Sequence, residues 1–403
     1  MPYVIPAFQV LSVFGMRSSS LLHSFVSYDN PPGSMCQGLQ RRRRRGILRA
    51  DQRGNSPYGG QAMKRNVTLD LFKLAAAFAV ICIHYMFSGA VGISVKAVAR
   101  FAVPFFFAVS GFFAWKQRPE KLMKRAWGIA KLYLASFVLY FLYGAFREIL
   151  LGKASSVTEY VMKYIQPKTI LNFLIHNTTI SAAHLWFLPA LIYCYLLMWL
   201  CIKVKVPEKV LTAAAIILLS IQLIVGEWLS ILQVQLDVDL PNFLFLGFPF
   251  FLLGRTLSRI QEERRPDFGH CSGWLILLLL IAGIAESVLS VLLWGGHLIY
   301  TGSVMIVSAL LLAALKYRER AYAPCLVSLA ELSTHIYVFH VAVGGTLETV
   351  AAKVLHCSES PVWINAKPFI VLILSILIGA IFRHLYAAAV KAIRAHRAAP
   401  AAR

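Results

Sequence analysis

Charged residues are scarce in this sequence, and acidic residues are scarcer still. Only 14% of its 403 residues are charged, and 18 acidic residues stand against 40 basic ones. Soluble domains usually contain about 25% charged and about 45–50% apolar residues, whereas 58% of this chain is hydrophobic. The shortage of charge excludes an ordinary soluble domain and predicts an all-α membrane protein whose chain crosses the bilayer repeatedly.

Cysteine is also sparse, and its spacing indicates no special chemistry. The seven cysteines form no Cys-x-x-Cys pair and no Cys/His pattern typical of a metal site. Four of them, Cys82, Cys194, Cys201 and Cys325, lie in or beside apolar segments, where a free thiol behaves as a small buried hydrophobe. The sequence therefore predicts neither a disulfide framework nor a bound metal.

The formal net charge of +22 does not indicate nucleic-acid binding, because much of it lies in the N-terminal tail and in short connections between apolar segments. Residues 1–62 include five consecutive arginines, 41–45, and no segment long enough to cross a bilayer. They are interpreted either as a disordered basic tail that touches anionic lipid or as an over-extended start ahead of Met63. Residues 63–391 are predicted to form the membrane domain, and 392–403 a short basic cytoplasmic tail.

Ten apolar segments follow the tail, and the charges between them alternate. Connections after the even-numbered segments are rich in Lys and Arg, whereas those after the odd-numbered segments are poor in both. By the positive-inside rule, this alternation predicts that both termini are cytoplasmic. The longest external connection, about 152–182, is expected to form an interfacial helix or a lid. The ten segments lie near 67–88, 97–115, 127–151, 184–202, 209–227, 240–259, 272–294, 297–315, 324–350 and 367–390.

The first segment carries ionisable residues that a simple membrane anchor would lack. Lys73 and His84 are separated by close to three helical turns, so both lie on one face, about 16 Å apart along the axis. Ionisable groups at membrane depth are costly and usually face a protein interior or a water-filled cavity. The alternative is that Asp70 and Lys73 reach water at one interface and that His84 lies at the other.

Other segments place polar residues at the same predicted external level as His84. Arg100 begins the second segment, where it either anchors the helix among headgroups or faces an anionic substrate. His184 opens the fourth segment. In the ninth segment Tyr337 and His340 share a helical face with Ser333, because the three recur at offsets of four and three. A polar face within a span indicates a protein interior or a cavity.

Four stretches, in this order, resemble the acyltransferase-3 family, the multi-span O-acyltransferases of bacterial envelopes. The resemblance covers about 65–390, and the ten-segment plan is similar too. Each stretch is weak alone, but four in order are fairly specific. They are Leu69-Asp70-Leu71-Phe72-Lys73 followed after ten residues by His84, Arg100-Phe101 through Val103-Pro104-Phe105-Phe106-Phe107 to Ser110-Gly111-Phe112, His184-Leu185-Trp186-Phe187-Leu188, and Ser333 with Tyr337 and His340.

Two stretches depart from the family pattern. The family often has arginine where this chain has Lys73, and lysine keeps the charge but loses the planar guanidinium. The family's basic stretch after the second segment is also incomplete here, although Lys131 and Tyr133 are in register.

The resemblance implies transfer of an acyl group, most simply acetyl from acetyl-CoA, to a hydroxyl of an envelope or extracellular glycan or of a lipid-linked sugar. It implies a multi-pass protein of the bacterial cytoplasmic membrane, with acyl-CoA as co-substrate and no permanently bound cofactor. The residues concerned are His84 as general base or transient acyl carrier, with Lys73 as the second catalytic residue. Arg100, Ser110, His184, Tyr337 and His340 are expected to serve the acceptor or the oxyanion. The cations Lys124, Arg125 and Lys131, together with Lys73, are expected to bind acyl-CoA.

Two other functions remain compatible with the residues. A transporter or flippase for a lipid-linked sugar or a small metabolite would also carry polar residues and proline-broken helices at membrane depth, although no convincing inverted repeat relates 65–230 to 230–390. A sensor or non-catalytic partner in glycan assembly is the third interpretation. For Ser110 and Gly111, close packing between helices is the alternative to a role in the site.

Overall fold

The structure, a computed structural model, describes residues 66–176, 182–234, 240–263, 272–318, 320 and 322–398. Within these ranges every regular element is a helix and no strand occurs. The prediction of an all-α, polytopic membrane bundle is confirmed. The predicted basic tail, 1–62, lies outside the described residues.

The described helices are numbered α1 to α15 in chain order. A 3₁₀ turn, Ala183–Trp186, precedes α7, and π-helical turns at Ile224–Trp228 and Phe243–Gly247 adjoin α8 and α10. The last helix continues to Ala398, into the segment predicted as a tail. The helices are α1 (Val67–His84), α2 (Gly89–Ala99), α3 (Ala102–Phe112), α4 (Pro119–Leu150), α5 (Val157–Tyr164), α6 (Pro167–His176), α7 (Phe187–Lys203), α8 (Glu208–Leu223), α9 (Leu229–Ile231), α10 (Phe248–Glu263), α11 (Gly273–Trp294), α12 (Thr301–Lys316), α13 (Pro324–Ala330), α14 (Ser333–Lys353) and α15 (Pro361–Ala398).

Eight helical segments of the described chain are long and apolar enough to cross a membrane. They correspond to predicted segments one to seven and ten. The ninth is the bent pair α13 and α14, whose axes differ by 60°. The eighth is α12, whose 16 residues reach about 24 Å, less than a hydrocarbon core of about 30 Å. All ten predicted segments are therefore helical, but two are not single full-length spans, and the cytoplasmic position of the termini stays a prediction.

The third span begins earlier than the sequence predicts. Its start was expected near 127, but α4 begins at Pro119 and runs for 32 residues. Proline suits the first helical turn, where the N–H it lacks would have no partner within the helix. Lys124 and Arg125 consequently lie on a helix and not in a loop, so they occupy different faces of α4.

The break in the ninth span was not predicted either. Glu331 and Leu332 separate α13 from α14, and a carboxylate oxygen of Glu331 lies 3.0 Å from the guanidinium of Arg383 on α15. The ion pair ties the break to the last helix. Cys325 also differs from expectation, because it lies in the first turn of the short α13 and is exposed, whereas Cys82 and Cys194 are buried as predicted.

Small residues bring several helices into backbone contact. A Cβ atom on Gly111 would lie 1.7 Å from the carbonyl oxygen of Phe251, and one on Gly254 would lie 1.8 Å from that of Ala108. Helices α3 and α10 therefore touch along their backbones, as small-residue contacts between membrane helices allow. This contact fixes α3, and with it the neighbouring Arg100, relative to the rest of the bundle.

Helices α5 and α6 occupy the described part of the connection 152–182, and α5 packs against the C-terminal end of α4. A position at the membrane interface or a role as a lid stays a prediction. The ring of Tyr160 is buried against Phe141, with centroids 5.1 Å apart, and its hydroxyl lies over Gly144. The carboxylate of Glu148 accepts hydrogen bonds from Lys163, at 2.9 Å, and from the hydroxyl of Tyr164. One carboxylate thus holds the end of α5.

The substitution Tyr164→Phe tests this contact. The hydrogen bond to Glu148 raises the pKa of Tyr164 above its ordinary value of 10.0, so the phenol keeps its proton and donates throughout the range below that value. A hydrogen bond to a charged group stabilises the folded position of α5 by an amount that corresponds to about a tenfold change in a local opening equilibrium. In Tyr164→Phe, amide hydrogen exchange in 157–164 should therefore be about tenfold faster at pH 7. The same difference is expected at pH 9, and the bond is lost only as the pH rises through the raised pKa. Tyr193→Phe is the control, since the hydroxyl of Tyr193 makes a long 3.4 Å hydrogen bond to the carbonyl oxygen of Leu174 and not to a carboxylate. Unchanged exchange in Tyr164→Phe would contradict the assignment.

Candidate active site

Three histidines from three separate helical segments meet at one end of the bundle. His84 is the last residue of α1, His184 lies in the 3₁₀ turn before α7, and His340 lies within α14. The ring centroids are 5.3 Å apart for His84 and His340, 5.1 Å for His184 and His340, and 6.3 Å for His84 and His184. We call these three residues the histidine cluster and the surrounding part of the bundle the histidine end.

Only one member of the histidine cluster is accessible. His184 is 4% exposed and His340 is 0% exposed, whereas His84 is exposed. The contacts with two interior rings show that His84 faces the bundle and does not simply lie at an interface. His84 is therefore the imidazole that a substrate can reach, and the other two lie behind it.

The hydrogen bonds of His340 define its tautomer. Its Nδ1 lies 2.8 Å from the carbonyl oxygen of Tyr337 and 3.1 Å from that of Ile336. Carbonyl oxygens only accept hydrogen bonds, so Nδ1 carries the proton and the Nε2 of a neutral ring has a free lone pair. Among the described residues, neither that Nε2 nor either ring nitrogen of His184 has a hydrogen-bond partner. The cluster therefore has unused capacity to accept or pass on a proton.

Two tyrosines hold the histidine cluster in place. The hydroxyl of Tyr337 donates to the carbonyl oxygen of His184 at 2.6 Å. The ring of Tyr140, on α4, stands edge-on to His184 with centroids 4.6 Å apart, while its hydroxyl donates to Val338 at 2.6 Å and accepts from the N–H of Ala342. Tyr337 was predicted for the site, whereas Tyr140 was not. The sequence offers one indication of Tyr140, the recurrence of tyrosines along the third apolar segment.

Arg100 lies at the histidine end, where α2 passes into α3. Its charge and that of Lys96 both act on His84. Within the part of the chain that the structure describes, no carboxylate lies within 4.0 Å of the Arg100 guanidinium. An uncompensated guanidinium beside an accessible imidazole is suited to stabilise an oxyanion that forms during attack on a carbonyl.

Ser110 lies well away from the histidine cluster. Its hydroxyl donates to the carbonyl oxygen of Phe106 at 2.8 Å, and its own carbonyl accepts from Tyr195 at 3.5 Å. Tyr195 lies about 16 Å further along the helix than His184. The structure therefore does not bring Ser110 to the other predicted site residues, and its bonded hydroxyl and the neighbouring Gly111 fit the packing interpretation.

The other end of α1 carries a second charged group inside the bundle. Lys73 Nζ lies 2.6 Å from a carboxylate oxygen of Asp70, and the two side chains are only 12% and 15% exposed. Such low exposure does not fit side chains that reach out to an interface. Because α1 is continuous from Val67 to His84, Lys73 and His84 remain about 16 Å apart along the axis.

The predicted acyl-CoA residues occupy two faces of α4, because Lys124 and Lys131 are seven residues apart and share one face, whereas Arg125 lies on another. Arg125 donates to the carbonyl oxygen of Phe113 at 2.8 Å and thereby ties α4 to the end of α3. Lys131 lies over the ring of Trp127, 5.6 Å from its centre. Lys124 lines a groove of about 490 Å³ between α4 and α7, which is lined by two indole rings, two ammonium groups and one carboxylate. The groove is lined by Glu120, Met123, Lys124, Trp127, Trp199 and Lys203.

A metal site is not built into the described residues. Zinc bound by histidine needs ring nitrogens that converge at about 2.0–2.1 Å from the metal. No group of three or more His, Cys, Asp or Glu side chains in the described ranges is arranged to hold an ion. The geometry of the histidine cluster favours proton transfer, with a cation beside it for a developing negative charge.

Comparison with known proteins finds a family match that covers most of the described chain. A family model described as an acyltransferase domain matches residues 66–384, which is more than half of the chain and includes the histidine cluster, Arg100 and Lys73. No curated protein and no solved structure matches the chain.

Proposed function

Since the chain belongs to the acyltransferase-3 family and is a multi-pass membrane acyltransferase, we propose that it transfers an acetyl group from acetyl-CoA to a hydroxyl of an envelope or extracellular glycan or of a lipid-linked sugar. The observation that carries the proposal is the accessible His84 in front of two buried histidines. The family assignment favours an enzyme over a transporter or a non-catalytic partner. We further propose that it works in the bacterial cytoplasmic membrane, with both termini on the side where acetyl-CoA is made.

The proposed reaction needs a base and a stabiliser of negative charge. A sugar hydroxyl is a poor nucleophile, and an imidazole with a free lone pair can remove its proton during attack. The hydroxyl oxygen attacks the thioester carbonyl carbon while His84 takes the proton, and the guanidinium of Arg100 faces the oxyanion. The carbon–sulfur bond then breaks, the acetyl group stays on the acceptor as an ester, and the CoA thiolate takes the proton back from His84.

The buried histidines have supporting roles in this proposal. Ring nitrogens of His184 and His340 have no hydrogen-bond partner among the described residues, so the proton on His84 has neighbouring rings that can share it. Tyr337 and Tyr140 fix His184 through the contacts described above. We assign these residues to positioning, because the accessible ring is that of His84.

Donor binding is proposed at the end of α1 and α4 opposite the histidine cluster. Lys73 lies there inside the bundle, and its distance of about 16 Å from His84 suits an extended pantetheine arm that carries the thioester towards the histidine end. The groove with Lys124 offers two ammonium groups for phosphates and two indoles on which a nucleotide base can stack. Lys131 supports this groove through Trp127, whereas Arg125 is occupied by its bond to Phe113.

The experiment is acetyl transfer by the purified full chain in lipid nanodiscs. Radiolabelled acetyl-CoA is supplied with a mixture of soluble glycosides, and products are identified by mass spectrometry. We expect free CoA and acetylated glycoside to appear in equal amounts and the label to require the protein. Envelope glycans from cells with and without the gene should differ by one acetyl group per modified site. Movement of a sugar across vesicles without any acetyl transfer would contradict the proposal and favour the transporter.

A further inference from the structure

A row of polar side chains rises from the histidine cluster along α4 and α14. Tyr140 contacts His184, Tyr143 contacts Tyr140 with centroids 6.3 Å apart, and Arg147 follows one turn later on the same face. On α14, Tyr143 donates to the carbonyl oxygen of Ala342 at 3.1 Å, and Arg147 Nε lies 3.4 Å from the hydroxyl of Thr349. Arg147 is therefore about 10 Å beyond Tyr140 along the axis of α4.

Two glycines of α14 make room for this row. A Cβ on Gly345 would lie 3.0 Å from the hydroxyl of Tyr143 and 3.7 Å from Nη1 of Arg147. A Cβ on Gly344 would lie 2.0 Å from the ring of Tyr85, the residue that follows His84. Side chains larger than hydrogen would fill the space in which Tyr85, Tyr143 and Arg147 approach α14. The two glycines thus let Tyr85, Tyr143 and Arg147 pack closely against α14, next to the residue that follows His84.

Charged side chains of α14 and α15 lie beside the ring of Tyr85. Lys367 Nζ lies 2.9 Å from a carboxylate oxygen of Glu348 and 5.4 Å from the centre of the Tyr85 ring. Aromatic faces next to charged and hydroxyl groups are suited to a molecule with both apolar and polar faces, such as a sugar. The hydroxyl of Thr346 lies 3.1 Å from that of Tyr143. We call the residues Tyr85, Tyr143, Arg147, Thr346, Glu348 and Lys367 the vestibule.

The vestibule carries one cation without a counter-charge. Glu348 is paired with Lys367, whereas Arg147 has no carboxylate within 4.0 Å among the residues placed by the structure. Its only side-chain hydrogen bond there is the long one to Thr349. A guanidinium with unused donors binds a carboxylate or a phosphate in a bidentate geometry.

We propose that Arg147 is a specificity-determining residue that binds an anionic group, a carboxylate or a phosphate, on the acceptor. The proposal rests on the proposed function, because it assigns the acceptor to the vestibule in front of His84. The distance of about 10 Å from the level of Tyr140 places the anion on a neighbouring part of the acceptor and not on the hydroxyl that is acylated. The substrate class is therefore an acidic glycan or a phosphate-linked sugar.

Equilibrium binding to the full chain in nanodiscs of neutral phosphatidylcholine tests this assignment. The radiolabelled probes are methyl glucoside, methyl glucuronide and glucose 1-phosphate. At least one of the two anionic probes should bind about tenfold or more tightly than methyl glucoside, and the stronger of the two identifies the anion. Arg147→Gln should lower the affinity for both anionic probes to that for methyl glucoside and leave the affinity for methyl glucoside unchanged. Arg147→Lys should keep part of the preference for the anionic probes.

The controls separate a specific role from a structural one. Lys153→Gln removes an exposed cation near the same end of α4 and should leave all three affinities unchanged. Equal binding of the three probes, binding of none, or an equal loss for all three in Arg147→Gln would overturn the proposal. Loss of the preference for anionic probes in nanodiscs of anionic phosphatidylglycerol would also overturn the proposal, because it would show that Arg147 binds lipid headgroups.

Acetyl transfer to the same probes is measured separately. Anion-selective binding without transfer would refute the proposed function and leave the anion site in place. Transfer to all three probes at equal efficiency would support the proposed function and refute the role of Arg147.

Discussion

Replacing His84 with alanine is expected to lower the rate of acetyl transfer at least about 100-fold, because a positioned general base contributes about 10²–10⁴-fold. The side chain is the accessible member of the histidine cluster, and its removal leaves His184 and His340 buried behind it. The expected loss is in kcat, since Lys73 and the groove with Lys124 remain intact at the other end of the bundle. The measurement is acetyl transfer by purified variants in nanodiscs, with acetyl-CoA binding measured in parallel.

The matched control is His384→Ala. His384 is an exposed histidine on α15, outside the histidine cluster, so its loss should leave kcat within about twofold of the original. Both variants must insert into membranes at the level of the unchanged protein. Transfer at an undiminished rate by a correctly inserted His84→Ala variant would refute the catalytic assignment.

The two proposed roles of His84 differ in what accumulates without an acceptor. A transient acyl carrier would form a covalent acetyl-imidazole, so label from acetyl-CoA would attach to the protein and CoA would be released in a burst. A general base would leave the protein unlabelled until an acceptor is added. Peptide mapping of the quenched protein distinguishes the two roles, and label in His84→Ala would contradict both.

The histidine cluster could be predicted in outline because membrane topology limits where each residue can lie. The charge alternation places His84, His184 and Arg100 at one level, and the helical face that His340 shares with Ser333 and Tyr337 indicates that it faces a protein interior or a cavity. The structure brings the three histidines together, and the charge of Arg100 acts on His84, while the roles of these residues stay predictions. Tyr140 was missed because a tyrosine in an apolar segment has no distinguishing pattern, and only the packing of α4 against α14 brings it to His184.

Residues that are close together in one sequence motif lie in different surroundings in the structure. The cause is the start of a helix or the packing of a helix that is distant in sequence. Lys124 and Arg125 are adjacent, yet they lie on different faces because α4 already begins at Pro119. Ser110 is polar and lies beside Gly111, a pattern compatible with either a site or a packing contact. The approach of the Phe251 carbonyl to Gly111 depends on α10, which is distant in sequence.

The break between α13 and α14 could not be predicted for a different reason. Breaks in membrane helices are usually expected at proline or glycine, and Glu331-Leu332-Ser333 contains neither. The ion pair of Glu331 with Arg383 links the break to a helix about 50 residues further along the chain. Such a contact is visible only once the helices are packed.

The substitution Gly111→Ala is expected to cause the largest loss of stability. The added methyl group would lie 1.7 Å from the carbonyl oxygen of Phe251 and 2.6 Å from its carbonyl carbon, and backbone atoms cannot rotate away as a flexible side chain can. Helices α3 and α10 must separate, which also breaks the reciprocal contact of Gly254 with Ala108. Overpacking of this kind costs about 3 kcal/mol or more, and the thermal unfolding temperature of the protein in detergent measures it.

Gly273→Ala is the matched control for this loss. Gly273 begins α11, and a Cβ there would lie 3.8 Å from the hydroxyl of Tyr317, an ordinary contact. Because alanine is favoured over glycine in a helix by up to about 1 kcal/mol, this variant should be as stable as the original protein or slightly more so. The separation of α3 from α10 should also move Arg100, so Gly111→Ala should lose acetyl transfer along with stability. Equal unfolding temperatures for the two variants would show that α3 and α10 do not touch as closely as the structure places them.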